Sequence, residues 1–296
     1  MKIGIELPTT IPNVTAQLIR AWARQADAGP FSSLGIVDRL AYNTFDPLVS
    51  LAAVATETQR IRLMTGVLLA PMYNAGRLAK QAASLDVLSN GRLSLGLAIG
   101  GNEEDFRASP ASFSGRGKRF EQQLELMTRV WAGQPVDDKT GPIGPTPLQP
   151  GGPEILLGGQ TPAAIGRLKR WGNGYIAAGL GSPAQVGTFF RQAEEAWQSA
   201  GRPGKPRLVV ATYFALGPGA AEQAEAYLLE FYGIYGPLAQ EIAKSVSTTP
   251  EAVQARIQEF ADVGADELLF APCIPELDQV QRLADVANQW MREAQN

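Results

Sequence analysis

Apolar and polar residues alternate along the chain in two rhythms. Short runs that are apolar almost without break occupy residues 2–7, 34–38, 61–69, 93–99, 154–157, 174–178, 208–216 and 267–272. Between them, stretches with apolar residues three and four apart span 14–28, 47–58, 77–88, 119–131, 162–171, 183–200, 250–263 and 277–294. The first rhythm predicts strands covered on both faces, the second helices with one buried stripe. Asp46-Pro47, Thr161-Pro162, Ser182-Pro183 and Thr249-Pro250 each set a capping side chain before a proline suited to a first helical turn.

Eight strands, each followed by a helix, predict an α/β protein: a (β/α)8 TIM barrel formed by residues 1–296 as a single domain. An open doubly wound sheet shares that alternation, and the strand count does not separate the two. Residues 100–117, 137–153 and 217–249 interrupt the regular order. They are expected as insertions over the C-terminal face of the barrel, where active sites of this architecture lie.

The stretch EILLGGQTPAA, residues 154–164, carries the clearest chemical hint. A buried run stops at Gly158-Gly159, and Thr161-Pro162 then opens a helix. Bare amides beside a helix N-terminus invite an anion. The bland alternative is a tight turn with an N-cap and no ligand. Gly100-Gly101 after the fourth strand is by itself only the start of a loop, since GLAIGG is no dinucleotide fingerprint.

Composition narrows the chemistry. The chain has no histidine and one cysteine, Cys273, which excludes imidazole-based nucleophile systems, histidine-ligated metals and disulfides; no metal site is expected. Proton transfer is left to Asp, Glu, Tyr, Lys, Arg, Cys or water. Cys273 reads as a small core residue. A net charge of -3 without a basic block points away from nucleic acid and membrane surfaces. No apolar run reaches the roughly 20 residues of a membrane span, and the chain starts at once on a strand pattern, so a cytoplasmic protein is expected.

The run RIRLMTGVLLAPMYNAGRLAKQAASLDVLSNGRLSLGLAIGGNEEDF, together with EILLGGQTPAA and VGADELLF, resembles the luciferase-like monooxygenase family. The resemblance implies a TIM barrel that binds FMN or the deazaflavin coenzyme F420. It further implies an oxidoreductase that passes hydride to a small organic substrate or, with FMN, oxygenates it. The ring would lie on a backbone bulge at the third strand's exit, supported by Thr65 and Gly66. A residue without Cβ lets a flat ring rest on backbone there. The phosphate would reach Gly100, Gly101, Asn102, Gly158, Gly159, Gln160 and Thr161, with Asp38 also beside the cofactor. A bulky residue at Gly159 is expected to weaken cofactor binding while largely sparing the fold. Relatives often dimerise, and the Ala-rich helix at 78–88 would permit a homodimer.

Two departures from the family pattern stand out. Asp38-Arg39-Leu40 replaces Asp-His-Leu, and Tyr73-Asn74-Ala75 replaces Arg-His-Pro. Arg39 is no general base, with a pKa above about 12, but could neutralise an anionic ring or bind an acidic substrate tail. Glu103, Glu104 and Asp105 read as a solvated acidic loop, of which Glu103 is the candidate acid/base. Phe231, Tyr232 and Tyr235 read equally as helix packing or as a lid. Asp86 and Arg92 read as pins of a helix–strand corner. The missing imidazoles keep open a flavin-binding barrel without activity, and the glycine turns keep open an unrelated barrel acting on a phosphorylated compound.

Overall fold

The computed structural model describes residues 1–293. Its strands are β1 (Lys2–Glu6), β2 (Ser33–Ile36), β3 (Arg62–Leu69), β4 (Leu93–Ala98), β5 (Glu154–Gly158), β6 (Gly174–Ala178), β7 (Arg207–Phe214) and β8 (Glu267–Pro272). Each pairs in parallel with the next and β8 pairs back onto β1, closing the barrel and removing the open-sheet alternative. The helices are α1 (Ala16–Ala28), α2 (Pro47–Ala55), α3 (Ala75–Leu88), α4 (Glu103–Arg107), α5 (Arg116–Trp131), α6 (Pro162–Gly166), α7 (Pro183–Ser199), α8 (Ala220–Phe231), α9 (Pro237–Lys244), α10 (Pro250–Asp262) and α11 (Asp278–Glu293). Position 294, at the end of the last predicted helix, lies outside the described residues.

The apolar strands are buried on both faces, every residue of β2 and β8 among them. Inward-facing Met64, Leu156, Ile176, Val209 and Leu269 fill the lumen. Outward-facing residues meet the helix layer through Trp22, Leu51, Phe120, Phe190 and Phe260. The expected start signals work as caps: Asp46, Thr161, Ser182 and Thr249 each accept the N–H of the third residue beyond. Ala79, Ala82 and Ala83 of α3 point into the core, so their small size serves close packing within the chain.

The barrel's lower end is sealed by charge. Arg207 bridges Glu154 and the fully buried Glu267. Ser94 Oγ donates to Glu154 at 2.5 Å and Ser32 Oγ to Glu267 at 2.5 Å. Burial opposes the Arg207 charge, but the two carboxylates outweigh it and hold the guanidinium pKa above its ordinary value.

Segment 137–153 does not cover the C-terminal face as expected. It leads from the end of α5 to the start of β5 along the outside of α3, from Ile143 and Gly144 beside Gly76 and Lys80 down to the C-terminal end of that helix. None of it lines the cavity at the C-terminal ends of the strands. Asp86, at the foot of α3, accepts the N–H groups of Leu148 and Gln149 at 2.8 and 3.0 Å, and Gln149 Nε2 donates to the Leu93 carbonyl at 2.6 Å. Arg92 ties the same corner, donating to the Thr58 hydroxyl and the Ile61 carbonyl at 2.9 and 2.7 Å. The other two excursions, which carry α4 and the α8–α9 pair, do follow strand exits.

Candidate functional site

A cavity of about 560 Å³ opens at the C-terminal ends of the strands. Its floor and walls come from consecutive strand exits: Glu6 at the end of β1, Asp38 and Arg39 after β2, Gly66 and Val67 on β3, Gly100 and Gly101 after β4, and Gly158 to Thr161 from the last residue of β5 onward. Thr212 and Tyr213 of β7 face these across the barrel, and Phe231, Tyr232 and Tyr235 from the α8 excursion cover that side. The aromatic run is thus both packing and cover. Phe231 meets the Tyr42 ring edge-on at 5.0 Å, and Tyr227 shares a 2.5 Å hydrogen bond with Thr10.

The third strand carries a bulge. Pairing with β4 slips between Thr65 and Leu68, and the Gly66–Val67 peptide is cis. Thr65 Oγ1 donates to the Gly96 carbonyl at 2.8 Å, and a Cβ on Gly96 would stand 2.0 Å from the Thr65 carbonyl oxygen. Thr65 is therefore spent on holding the bulge from behind and does not line the cavity, whereas Gly66 does. Asp38 holds the far end, accepting the Leu69 N–H at 2.8 Å and the Tyr73 hydroxyl at 3.2 Å. Of the positions that depart from the family pattern, Tyr73 thus stands on Asp38, the carboxylate that precedes Arg39. Burial raises the Asp38 pKa to about 6 against the pull of these two hydrogen bonds, with Asp46 and Asp105 adding to the rise.

Among the described residues, the ionisable acids and bases on the wall, phenols aside, are Glu6, Asp38, Arg39 and Arg116. Arg39 is already matched: its Nε donates to buried Asp105 at 3.0 Å, and its guanidinium lies 5.6 Å from the Phe231 ring centroid. Asp105 also accepts the Leu40 and Ala41 N–H groups at 2.9 and 2.7 Å. The acidic loop is thus split. Asp105 is a buried anchor, while Glu103 is exposed, faces Arg107 at 3.7 Å and lies off the cavity wall. Asn102 also lies off the wall; its Oδ1 caps α4 by accepting the Glu104 N–H at 3.0 Å, and its buried Nδ2 has no partner among the described residues.

The glycine exits converge with Arg116. Its Nε donates to the Gly100 carbonyl at 3.0 Å, and the group lies flat on Phe113, 3.7 Å from the ring centroid. The Thr161 hydroxyl accepts the Ala164 N–H at 3.2 Å and keeps its own proton for donation. The predicted helix 162–171 is only α6, Pro162–Gly166, continued by a 3-10 turn, Arg167–Lys169. A dipole this short adds little, so Arg116 and the local amides supply the positive field. Gly159 has φ +123°, and a Cβ there would stand 2.8 Å from that of Ala164. A bulky residue at Gly159 would therefore strain the backbone, contrary to expectation. Tyr175 braces the same turn, its hydroxyl donating to the Gly159 carbonyl at 2.8 Å.

Sequence reasoning assigned no role to Glu6 or Arg116. Glu6 is 2% exposed, lines the cavity, and its Oε1 has no hydrogen-bond partner among the described residues. Burial alone raises its pKa to about 8. The signal was a carboxylate closing the apolar strand KIGIE; for Arg116 it was an arginine directly after Gly115, which has φ +69°. Tyr213 and Tyr232 share a 2.8 Å hydrogen bond, and burial pushes both phenols above their ordinary range.

A family model described as luciferase-like monooxygenase matches residues 1–270, so the chain belongs to that family, one of oxidoreductases. The oxygenase component of the flavin-dependent trigonelline monooxygenase of Acinetobacter baylyi is 25% identical over 266 residues, covering 76% of this chain and 73% of that protein. A monooxygenase from Streptomyces bottropensis superposes with a TM-score of 0.79 at 22% identity over all of both chains. The coenzyme F420-dependent tetrahydromethanopterin reductase of Methanopyrus kandleri gives 0.76 at 18%, covering 97% of each. Members of the family use FMN or coenzyme F420. The cavity suits such a group in three respects: its volume, bare glycine backbone on three neighbouring exits, and one cation at the glycine end. Among the described residues no helix is long and apolar enough to cross a membrane, and no cluster of metal-ligating side chains occurs.

Proposed function

We propose that the cavity binds FMN or coenzyme F420 and that the protein passes hydride between this carrier and a small apolar organic molecule, or, with FMN, oxygenates that molecule. The observation that carries the reading is the meeting of Gly66, Gly100, Gly101, Gly158 and Gly159 with Arg116 around one cavity. When bound, the carrier supplies the redox chemistry; the protein supplies placement, dryness and protons.

Arg116, the Thr161 hydroxyl and the amides of Gly159 and Gln160 would hold the phosphate. The bulge at Gly66–Val67 would carry the ring, kept in place by Asp38 and by the Thr65–Gly96 contact. Phe231, Tyr232 and Tyr235 would exclude water on the β7 side, where Leu180, Ala211 and Ala271 offer apolar surface to a substrate. Arg39, neutralised by Asp105, would position the cover through Phe231 rather than bind an acidic tail. The motive for an inactive carrier, the lack of imidazoles, is weakened by two cavity carboxyls that titrate near neutrality, Asp38 and Glu6. A homodimer belongs to the same reading, to be checked by sedimentation; the α3 alanines Ala79, Ala82 and Ala83 face inward, and Val87, Leu88 and Leu148 are exposed apolar groups on or near that helix.

The test is titration with FMN and with F420, followed by visible absorbance. Saturable binding of one of them supports the reading. Binding of neither, or tight binding of sugar phosphates alone, rejects it in favour of the unrelated-barrel alternative.

A further inference from the structure

Glu6 leaves β1 pointing into the top of the lumen, where two neighbouring strands lack side chains. A Cβ on Gly35 of β2 would stand 2.8 Å from the Glu6 Cγ, and one on Gly66 of β3 would stand 2.9 Å from Oε1. The carboxyl thus reaches past β2 to lie against the bulge at Gly66–Val67. It is buried, borders the cavity, and its Oε1 has no hydrogen-bond partner among the described residues. Buried polar groups are normally satisfied, and one left over at a cavity wall marks a place where a ligand supplies the partner.

The groups facing Glu6 identify that partner. Tyr213 comes from β7 and Tyr232 from the α8 excursion, each a neutral phenol already bonded to the other. Cys273 after β8 is buried and its thiol is pushed above its ordinary range. Asp38 after β2 is tied to Leu69 and Tyr73, and the Arg39 charge is tied to Asp105. Arg116 sits at the β4–β5 exits, roughly opposite β1 in the closed ring. Among the described residues no cation on the cavity wall is free to meet a Glu6 carboxylate, so the neutral acid is the form that fits, and a neutral acid has a proton to donate.

We propose that Glu6, as an uncharged carboxylic acid, donates a hydrogen bond to an acceptor atom, carbonyl oxygen or ring nitrogen, on the edge of the bound FMN or F420 ring. This rests on the cofactor reading above. It makes Glu6 a cofactor-contacting residue and binding a proton-linked event. Binding then favours the protonated carboxyl, and above its pKa of about 8 each complex formed takes up a proton.

The test is calorimetric titration with oxidised FMN and with F420 between pH 6.5 and 9.5, in buffers of different ionisation heat, on the wild type, Glu6→Gln and Glu6→Leu. Gln keeps an N–H donor but cannot ionise; Leu does neither. The wild type is expected to lose about tenfold in affinity per pH unit above about 8, with proton uptake. Glu6→Gln is expected to bind as the wild type does at pH 6.5, with neither that fall nor the uptake. Glu6→Leu should bind about tenfold more weakly at pH 6.5, one hydrogen bond's worth. Ionisation of the ligand and of Asp38 is common to all three proteins and cancels. If Glu6→Gln keeps the wild-type fall and uptake, or if Glu6→Leu binds as tightly as the wild type, the proposal is overturned while the cofactor reading stands. If the wild type binds neither molecule at any pH, both fall together. Circular dichroism of each variant confirms that folded protein is titrated.

Discussion

Glu6 and Gly66 share one space. The Oε1 of Glu6 stands 2.9 Å from where a Cβ on Gly66 would be, closer than non-bonded carbon and oxygen tolerate. The glycine expected to bare the backbone for a flat ring therefore has a second duty, to admit a carboxyl from two strands away. Its other neighbours at that point, Leu269 Cδ2 at 3.6 Å and the Ile36 carbonyl at 3.9 Å, are ordinary contacts.

Gly66→Ala should accordingly destabilise the fold by about 1 kcal/mol, the low end for overpacking, because the group it crowds is the end of a flexible side chain beside a cavity. Because the clash is with one side chain, Glu6→Ala in the same chain should recover part of that loss. Urea unfolding of the two single variants and the double variant measures this coupling. Strictly additive losses would place the strain elsewhere.

Stability should also depend on pH through Glu6. Its folded pKa, about 8, lies above the unfolded value of about 4.5, so the folded chain holds a proton that the unfolded chain has released. Stability is then greatest below the unfolded value and falls as pH rises towards the folded one. Asp38, raised to about 6 from 3.8, contributes with the same sign at lower pH and is largely ionised in both states by pH 7, so the region around pH 7 isolates Glu6. There the slope should approach 1.4 kcal/mol per pH unit, about the value for one proton. Glu6→Gln should remove most of it, as read from chemical unfolding at a series of pH values.

Arg116 offers a cleaner probe of the phosphate end than Gly159, where any side chain strains the turn. Arg116→Gln should weaken FMN binding roughly ten- to a hundredfold, the worth of a charge-assisted contact. Riboflavin, which lacks the phosphate, should bind both proteins alike. Equal losses for the two ligands would assign Arg116 to the loop's structure instead.

At the other end of the barrel, Arg207→Met would leave Glu154 and Glu267 without their shared cation. Removing one partner of a buried pair strands the other charge, at about 3–5 kcal/mol. Thermal unfolding should register that loss. Flavin affinity of the folded fraction should not change, since Arg207 starts its strand and the cavity lies at the strand ends.

Much of this molecule was legible in the residue order because its signals are local. Apolar runs marked all eight strands, and the capped prolines marked four helix starts within a residue. The glycine exits were legible for the same reason, each being a short run at a strand's end. What escaped needed neighbours far apart in sequence. Asp105 looked solvated among Glu103 and Glu104 until the barrel carried Arg39, Leu40 and Ala41 to it. Tyr73 gave no sign of reaching Asp38, and Glu6 stood alone until β2 and β3 set Gly35 and Gly66 beside it. Segment 137–153 was misplaced because proline and glycine density reports a loop without reporting which end of a barrel it serves.

The packing of Glu6 against Gly66 also ties two positions into one hereditary unit. A bulkier group at 66 crowds an acid at 6, and loss of the acid opens that space, whereas position 35 is kept small by Leu269 as well, 2.6 Å from where a Cβ would stand. Positions 6 and 66 should therefore change together, dividing the family into branches with and without a protonable floor.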